Sequence, residues 1–217
     1  NKIEILSENL NNEKILDFKN KNEQLFSIVK NYKLYDYLLS DLKKNKLFTI
    51  KKNKKIILSN QEYNLIIDSD PKHPITKKFF HNKFSKNYKS YGYVTIIEHK
   101  KMRSNDVATQ VFTKKGPLAF LPLSKTETSI VYSVRGKRNI EKNELEYLIK
   151  NNLKKYHVKK IHNLKSFELK SIDLRNYHYK NILAFGDLLH RIHPLAGQGF
   201  NMSIRDIKVL SELINFK

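Results

Sequence analysis

The run Asn181-Ile182-Leu183-Ala184-Phe185 is short, apolar after its first residue, and stops at Gly186-Asp187. Such a run suits a strand buried on both faces, as in a parallel sheet. Behind it comes a loop rich in proline and glycine, then an amphipathic helix whose Ile204, Ile207, Leu210, Leu213 and Ile214 share one stripe. Strand, acidic residue at the strand's carboxyl end, glycine-lined loop, helix: this order predicts an α/β layer and places a candidate ligand site, because ligands of open α/β sheets bind outside the carboxyl ends of the strands. Gly197 and Gly199 let backbone approach a ligand closely. The first amides of the helix offer partial positive charge to an anionic atom. Asp187 can accept hydrogen bonds from hydroxyls. A ligand with a polyol and a group that becomes anionic fits both halves.

Upstream the pattern changes. Residues 1–26 read as two short strands, Lys2 to Leu6 and Lys14 to Phe18. Leu34, Tyr35, Leu38, Leu39 and Leu42 fall at helical spacing, predicting a helix from Asn31 that ends near Asn45. Leu47 to Ile50, Lys55 to Leu58 and Asn64 to Ile67 read as strands, with Ser59 to Glu62 as a turn. Tyr91 to Ile97, Ala108 to Phe112, Leu118 to Leu123 and Ser129 to Val134 read as an antiparallel meander, punctuated at Lys115-Gly116-Pro117 and Ser124-Lys125-Thr126. The aromatics Tyr91, Tyr93, Phe112 and Phe120 are expected in its core, and Gly116-Pro117 as turn chemistry. Glu141 to Leu153 reads as helix and Ile161 to Ile172 as extended. The chain thus enters an α/β layer, leaves for an antiparallel sheet, and returns.

With 217 residues, 25.7 kDa and 40% hydrophobic content, the chain can bury a core. Its lack of cysteine excludes a disulfide framework and a thiolate metal site. The formal net charge of +21 is nearly all lysine; the arginines are Arg103, Arg135, Arg138, Arg175, Arg191 and Arg205. Arginine supplies the forks that read phosphate and guanine, and no aromatic–arginine motif is interleaved here. The lysines read as a solvated surface filled by composition bias, a functional basic patch being the sharper alternative, and no nucleic acid is expected as partner. His190 and His193 stand at His-x-x-His spacing. With no third ligand beyond Asp187 and with Pro194 adjacent, no metal is expected, and His190 reads as a structural or ligand-proximal group. The expected location is the cytoplasm, with peripheral contact at the inner membrane as an extension.

The stretch from Gly186 to Asn201, with Asp206 in the helix, resembles the second FAD-binding motif of the para-hydroxybenzoate-hydroxylase-like flavoprotein monooxygenases. Gly186, Asp187, His190, Pro194, Gly197, Gln198, Gly199, Asn201 and Asp206 match that pattern. The resemblance implies that Asp187 holds the ribitol of FAD. It implies that Pro194 and the Gly197-Gln198-Gly199 loop, with Phe200 beside it, pack against the isoalloxazine ring, and that the helix start faces its N1–C2=O edge. Asn201 keeps two readings, helix cap and cofactor contact. A second block, Gln110 to Ser124 followed by Glu127 to Ser133, resembles the substrate-domain strands of ubiquinone-biosynthesis hydroxylases, and Leu25 to Leu34 resembles their crossing into the FAD domain.

The implied fold class is α/β (α+β): a partial FAD-binding Rossmann-like domain plus an antiparallel-sheet substrate domain. Residues 1–30 are expected as substrate-domain strands, 31–75 as part of the FAD-binding domain, 76–172 as the substrate domain, and 173–217 as the return to the FAD-binding domain. The family's Gly-x-Gly-x-x-Gly is absent, so an N-terminally truncated chain is expected, inactive by itself. The family's middle Asp-Gly motif is altered: Ile67-Asp68-Ser69-Asp70-Pro71 stands in its place, with Asp70 matching its aspartate and Pro71 replacing its glycine. Proline fixes φ and removes an N–H, so Asp70 keeps two readings, turn residue and cofactor-side residue. The family's arginine near Asn31 is missing too. The implied activity is an FAD-dependent monooxygenase. NAD(P)H or another donor reduces the flavin, O2 gives a flavin C4a-hydroperoxide, and the ring of a polyprenylated phenol is hydroxylated. The implied partners are a phenol or quinone precursor with an apolar tail, O2, and a membrane surface or biosynthetic complex. The alternatives are a non-catalytic basic binding module and a related flavin reductase or halogenase.

Overall fold

The computed structural model describes residues 2–10, 13–20, 23–51, 63–136, 139–191 and 198–215; the side chains of Leu10 and His190 fall outside that description. Two compact units divide the chain. The larger comprises Asn1–Ile57, Gly92–Val134 and Arg138–Ser166; the smaller comprises Leu58–Tyr91, Arg135–Lys137 and Phe167–Lys217.

The N-terminal strands are β1 (Lys2–Ser7) and β2 (Glu13–Lys19), an antiparallel pair. Helix α1 (Asn31–Leu42) follows, and after it β3 (Ile66–Asp68) and α2 (Pro74–Phe79). Strand β4 (Lys83–His99) is 17 residues long and runs from the smaller unit into the larger. Then come β5 (Val107–Thr113), β6 (Gly116–Pro122), β7 (Glu127–Arg135), α3 (Lys142–Asn152) and β8 (Val158–Ile161). Strand β9 (Lys165–Leu174) leads back to the smaller unit, which ends with β10 (His178–Tyr179), β11 (Ile182–Ala184), β12 (His190–Arg191) and α4 (Gln198–Asn215).

In the larger unit β5, β6 and β7 form the meander that the alternation predicts, but β4, expected as its first strand, lies beside β7 and not beside β5. β5 pairs with β6 and β6 with β7, all antiparallel, and β1 joins the far side of β5 in parallel. The C-terminal half of β4 carries β8 antiparallel, with Ile97 opposite Ile161. Successive side chains of a strand face opposite ways, so Leu118 and Phe120 of β6 and Ile130 and Tyr132 of β7 are fully buried on one face. Leu145 and Ile149 of α3, one helical turn apart, are buried as well; each such side chain stabilises by about 1.5–3 kcal/mol relative to exposure. Tyr156 stacks on Phe120 at 5.6 Å between centroids.

Behind this stack lies a closed polar network. His99 is buried; its Nδ1 lies 2.9 Å from the Lys100 carbonyl and its Nε2 3.0 Å from Thr128 Oγ1. A carbonyl only accepts, so Nδ1 carries the proton and Nε2 accepts from the Thr128 hydroxyl. Asn105 Nδ2 in turn donates to Thr128 Oγ1 at 3.0 Å, and the Tyr156 hydroxyl donates to Asn105 Oδ1 at 3.3 Å.

The β5–β6 hairpin explains Gly116. Thr113 pairs with Gly116 across a two-residue loop, and Gly116 sits at φ +145°. A Cβ there would lie 2.0 Å from the Ser133 carbonyl oxygen, closer than any real contact, so β6 passes β7 only because residue 116 has no side chain.

Three further expectations are corrected. Leu47 to Ile50 is not a strand: Leu47 N donates to Asn45 Oδ1 at 2.9 Å and Phe48 N to the Asn45 carbonyl at 3.0 Å, so an Asx turn takes the amides a ladder would use. The strand expected over Asn64 to Ile67 is instead β3, starting two residues later. Phe112 is exposed rather than in the core, because Val111 beside it takes the inward face; Tyr93 and Phe120 are buried and Tyr91 is half-buried. Lys55 to Leu58 and the turn Ser59 to Glu62 lie outside the described residues.

Candidate functional site

The smaller unit holds a three-stranded sheet ordered β10-β11-β3, in which β11 and β3 are parallel with Ile182 opposite Ile66 and Ala184 opposite Asp68. Ile182 and Ala184 are buried with Ile75, Phe80, Leu174 and Leu188 in one apolar cluster. That accounts for the apolar run in the sequence. The parallel ladder extends one step past β11, where Phe185 N donates to the Asp68 carbonyl at 2.9 Å. Both strands therefore end at the same level.

At the tip of β11 the chain turns through a 3-10 helix, Gly186–Leu188. Gly186 adopts φ +61°, the left-handed region that glycine enters without penalty. Leu188 is buried and anchors the turn, while Asp187 between them is exposed. Among the described residues none pairs with its carboxylate. A Cβ on Gly186 would lie 3.9 Å from Ser203 Oγ of α4, and Ser203 Oγ donates to the Gly199 carbonyl at 3.3 Å. The strand tip and the first turns of α4 are thus brought together, as the sequence motif requires.

Helix α4 spans Gln198–Asn215, so the first amides, which have no acceptor within the helix itself, belong to Gln198, Gly199 and Phe200. Gln198 and Phe200 are exposed, and a Cβ at Gly199 would meet nothing within 4 Å. There is open space over this turn. Asn201 is the fourth residue of the helix, which overturns its reading as the helix cap: a cap at 201 needs a helix that begins at 202, and this one is already formed from Gln198. Pro194, Gly197 and His193 lie outside the described residues. The backbone of His190 sits in β12, opposite Asp173 of β9.

Two aspartates stand at the tip of β3. Asp70 is exposed and its Oδ1 accepts from Lys72 N at 2.9 Å, while its carbonyl accepts from His73 N at 3.0 Å. This is turn geometry. Asp68, which the sequence did not single out, is buried; its Oδ2 lies 2.6 Å from Thr76 Oγ1 and its Oδ1 accepts from Asp70 N at 3.2 Å. It pins the start of α2, where Pro74 opens the helix and His73 Nδ1 accepts from Ile75 N. The available signal was an aspartate at a strand's last position followed by a Pro-initiated helix.

The apolar stripe of α4 borders a groove of about 280 Å³ lined by Ile67, Phe185, Ile207, Leu210 and Ile214. A larger cleft, about 640 Å³, belongs to the other unit and is lined by Val94, Ile96, Ser129, Lys160 and His162, with His162 Nε2 2.7 Å from Glu98 Oε1. It carries none of the motif residues. Among the described residues no cluster of three metal-ligating side chains forms, and no helix is long and apolar enough to cross a membrane.

The sequence profile of the FAD binding domain matches residues 81–215, more than half of the chain and all of the strand-tip motif. The chain belongs to this FAD-binding family. Curated relatives narrow the neighbourhood. The 3-demethoxyubiquinol 3-hydroxylase of Escherichia coli (strain K12) is 31% identical over 115 residues, 50% of this chain and 29% of that protein. The mitochondrial ubiquinone biosynthesis monooxygenase COQ6 of Danio rerio is 24% identical over 169 residues, 59% of this chain and 35% of the relative. The chain thus spans about a third of the length of these relatives. Among solved structures, 2-methyl-3-hydroxypyridine-5-carboxylic acid oxygenase superposes with a TM-score of 0.57 at 13% identity, covering 70% of this chain and 45% of that one. That likeness bears out the mixed α+β fold.

Proposed function

We propose that this chain is part of an FAD-dependent monooxygenase that hydroxylates the aromatic ring of a polyprenylated phenol in ubiquinone biosynthesis. The observation that carries the reading is the strand tip Gly186-Asp187 set against the first turns of α4, within a chain of the FAD-binding family and with ubiquinone-pathway hydroxylases among its relatives.

The residues present fit the riboflavin half of FAD. Asp187, exposed and without a described partner, would accept hydrogen bonds from the ribitol hydroxyls. The amides of Gln198 and Gly199 would face the pyrimidine edge of the ring, where a helix start of partial positive charge favours an anionic form. The empty space over Gly199 admits a planar group against the backbone. Pro194, Gly197 and His190 would complete the ring contacts, with Phe200 and Asn201 on the helix side. When bound, the flavin supplies the redox chemistry, taking electrons from a donor such as NAD(P)H and passing one atom of O2 to the phenol. The Gly-x-Gly-x-x-Gly that cradles the pyrophosphate is not among these 217 residues.

Within this proposal residues 31–75 and 173–217 serve the flavin side, and residues 1–30 and 76–172 the substrate side. The substrate's apolar tail favours peripheral work at the inner membrane or within a biosynthetic assembly. The test is flavin retention. Protein from the full-length gene should purify yellow, and Asp187→Ala should lose the visible flavin bands while keeping the melting temperature of the flavin-free parent. Folded protein that stays colourless and takes up no added FAD would reject the proposal.

A further inference from the structure

The smaller unit carries a second surface that the flavin reading leaves unused. Between Asp70 and Glu98 the sequence has no acidic residue, yet it holds six lysines: Lys72, Lys77, Lys78, Lys83, Lys86 and Lys89. Residues 174–186 likewise contain no acid and add Arg175 and Lys180. The fold gathers parts of these two segments. Phe79 at the end of α2 stacks on Tyr179 of β10 at 4.2 Å between centroids and 14° between planes. Lys78 Nζ lies 5.2 Å from the Phe79 ring and Lys180 Nζ 5.7 Å from the Tyr179 ring. Alongside, Arg175 N donates to the Asn82 carbonyl and its guanidinium covers Phe84 at 4.3 Å.

Phe79 is half-buried against the apolar cluster, but the rings around it are not core. Phe84 is 59% exposed, Tyr177 51% and Tyr179 41%. Composition bias accounts for lysines on a surface, but it does not account for rings each set under a cation; the acid that meets this face is Glu168, whose Oε1 accepts from Asn87 Nδ2. Lys180 is held at φ +53° at the tip of the β10–β11 hairpin, where asparagine or glycine would sit without strain. Exposed aromatics settle at the headgroup level of a bilayer, where an amphipathic ring has one apolar and one wet side. Lysines beside them are attracted to anionic headgroups over about a Debye length.

We propose that this aromatic and predominantly cationic face, built from the end of α2, the start of β4 and the β10–β11 hairpin, docks the protein on an anionic lipid bilayer. It deepens the membrane part of the proposed function and rests on that reading only for its biological sense. Vesicle binding is read without flavin, so its failure would leave the flavin assignment standing.

The test is co-sedimentation of the full chain with vesicles of phosphatidylcholine carrying 0% or about 30% phosphatidylglycerol. Binding should require the anionic lipid. The double variant Lys78→Ala, Lys180→Ala should weaken partitioning about 30-fold, from the usual gain per lysine near such a surface. Phe84→Ser should remove the part of the binding that survives 0.3 M salt. The double variant Lys154→Ala, Lys159→Ala, with the same charge change in the larger unit, should bind as the parent does. Equal loss in both lysine pairs would overturn the proposal in favour of net charge alone. Failure to bind anionic vesicles, or displacement from them by equimolar duplex DNA, would overturn it as well.

Discussion

Gly186 and Ser203 join the strand tip to the helix: a Cβ on Gly186 would stand 3.9 Å from Ser203 Oγ, an ordinary contact. Space is therefore not what demands glycine at 186; the backbone angle of +61° is. Gly186→Ala should cost about 1–2 kcal/mol, the left-handed penalty alone, read as a lowered denaturation midpoint with an unchanged slope. A loss above about 4 kcal/mol would mean that the tip is packed more tightly than this geometry allows.

Asp187 separates binding from stability. Its carboxylate is exposed, so Asp187→Ala should leave the melting temperature of the flavin-free protein within a degree or two. Hydrogen bonds to a charged group contribute about 1.5–3 kcal/mol, so FAD affinity should fall about 10- to 100-fold, measured by quenching of flavin fluorescence. Equal affinity in the variant would remove Asp187 from the cofactor site.

Gly116 is the opposite case to Gly186. A Cβ there would sit 2.0 Å from the Ser133 carbonyl oxygen, and that oxygen is backbone. Gly116→Ala must push β6 and β7 apart, at a cost of about 3 kcal/mol. Chemical denaturation should show it, whereas Gly136→Ala, with open space around its Cβ, should lose only the penalty for positive φ.

Local pattern carried most of the larger unit's fold. Alternation in β5, β6 and β7 was plain because one face is fully buried, and Leu145 with Ile149 marked α3. β4 was read only from Tyr91 to Ile97, because Lys83 to Ser90 has no alternation to read; tertiary pairing extends it. Leu47 to Ile50 had strand-forming residues but Asn45 captured its amides. At the candidate site, the Gly186-Asp187 tip and the stripe of α4 were legible. The helix start was not, since Gly199 disguises a first turn. Asp68 was missed because its partner Thr76 is eight residues away and only the fold brings them together.

The His99 network predicts an unequal pair of variants. Thr128→Val keeps the shape but leaves His99 Nε2 without its donor in a buried site, which should cost about 2 kcal/mol. Thr128→Ser keeps the hydroxyl and should cost about half as much. Nitrogen-15 NMR should find the proton of His99 on Nδ1 in the parent; a proton on Nε2 would contradict the arrangement of Lys100 and Thr128 around the ring.

Tyr132 and Tyr156 set the alkaline limit. Burial pushes both hydroxyls above the ordinary tyrosine value of 10.0, and the contacts with Thr113 and Thr128 respectively only partly offset this. Below pH 10 both folded and unfolded chains hold these protons. Above it the unfolded chain releases them first while burial keeps the folded ones in place, so the unfolded state binds fewer protons and stability falls as pH rises. The stabilising contribution is present below pH 10 and is lost as pH climbs through the raised folded values. In an absorbance titration at 295 nm the ionisation of Tyr132 and Tyr156 should come only together with loss of near-ultraviolet circular dichroism. Tyr132→Phe should move that coupled step to higher pH. A step that stays where it was would show that this hydroxyl does not drive alkaline unfolding.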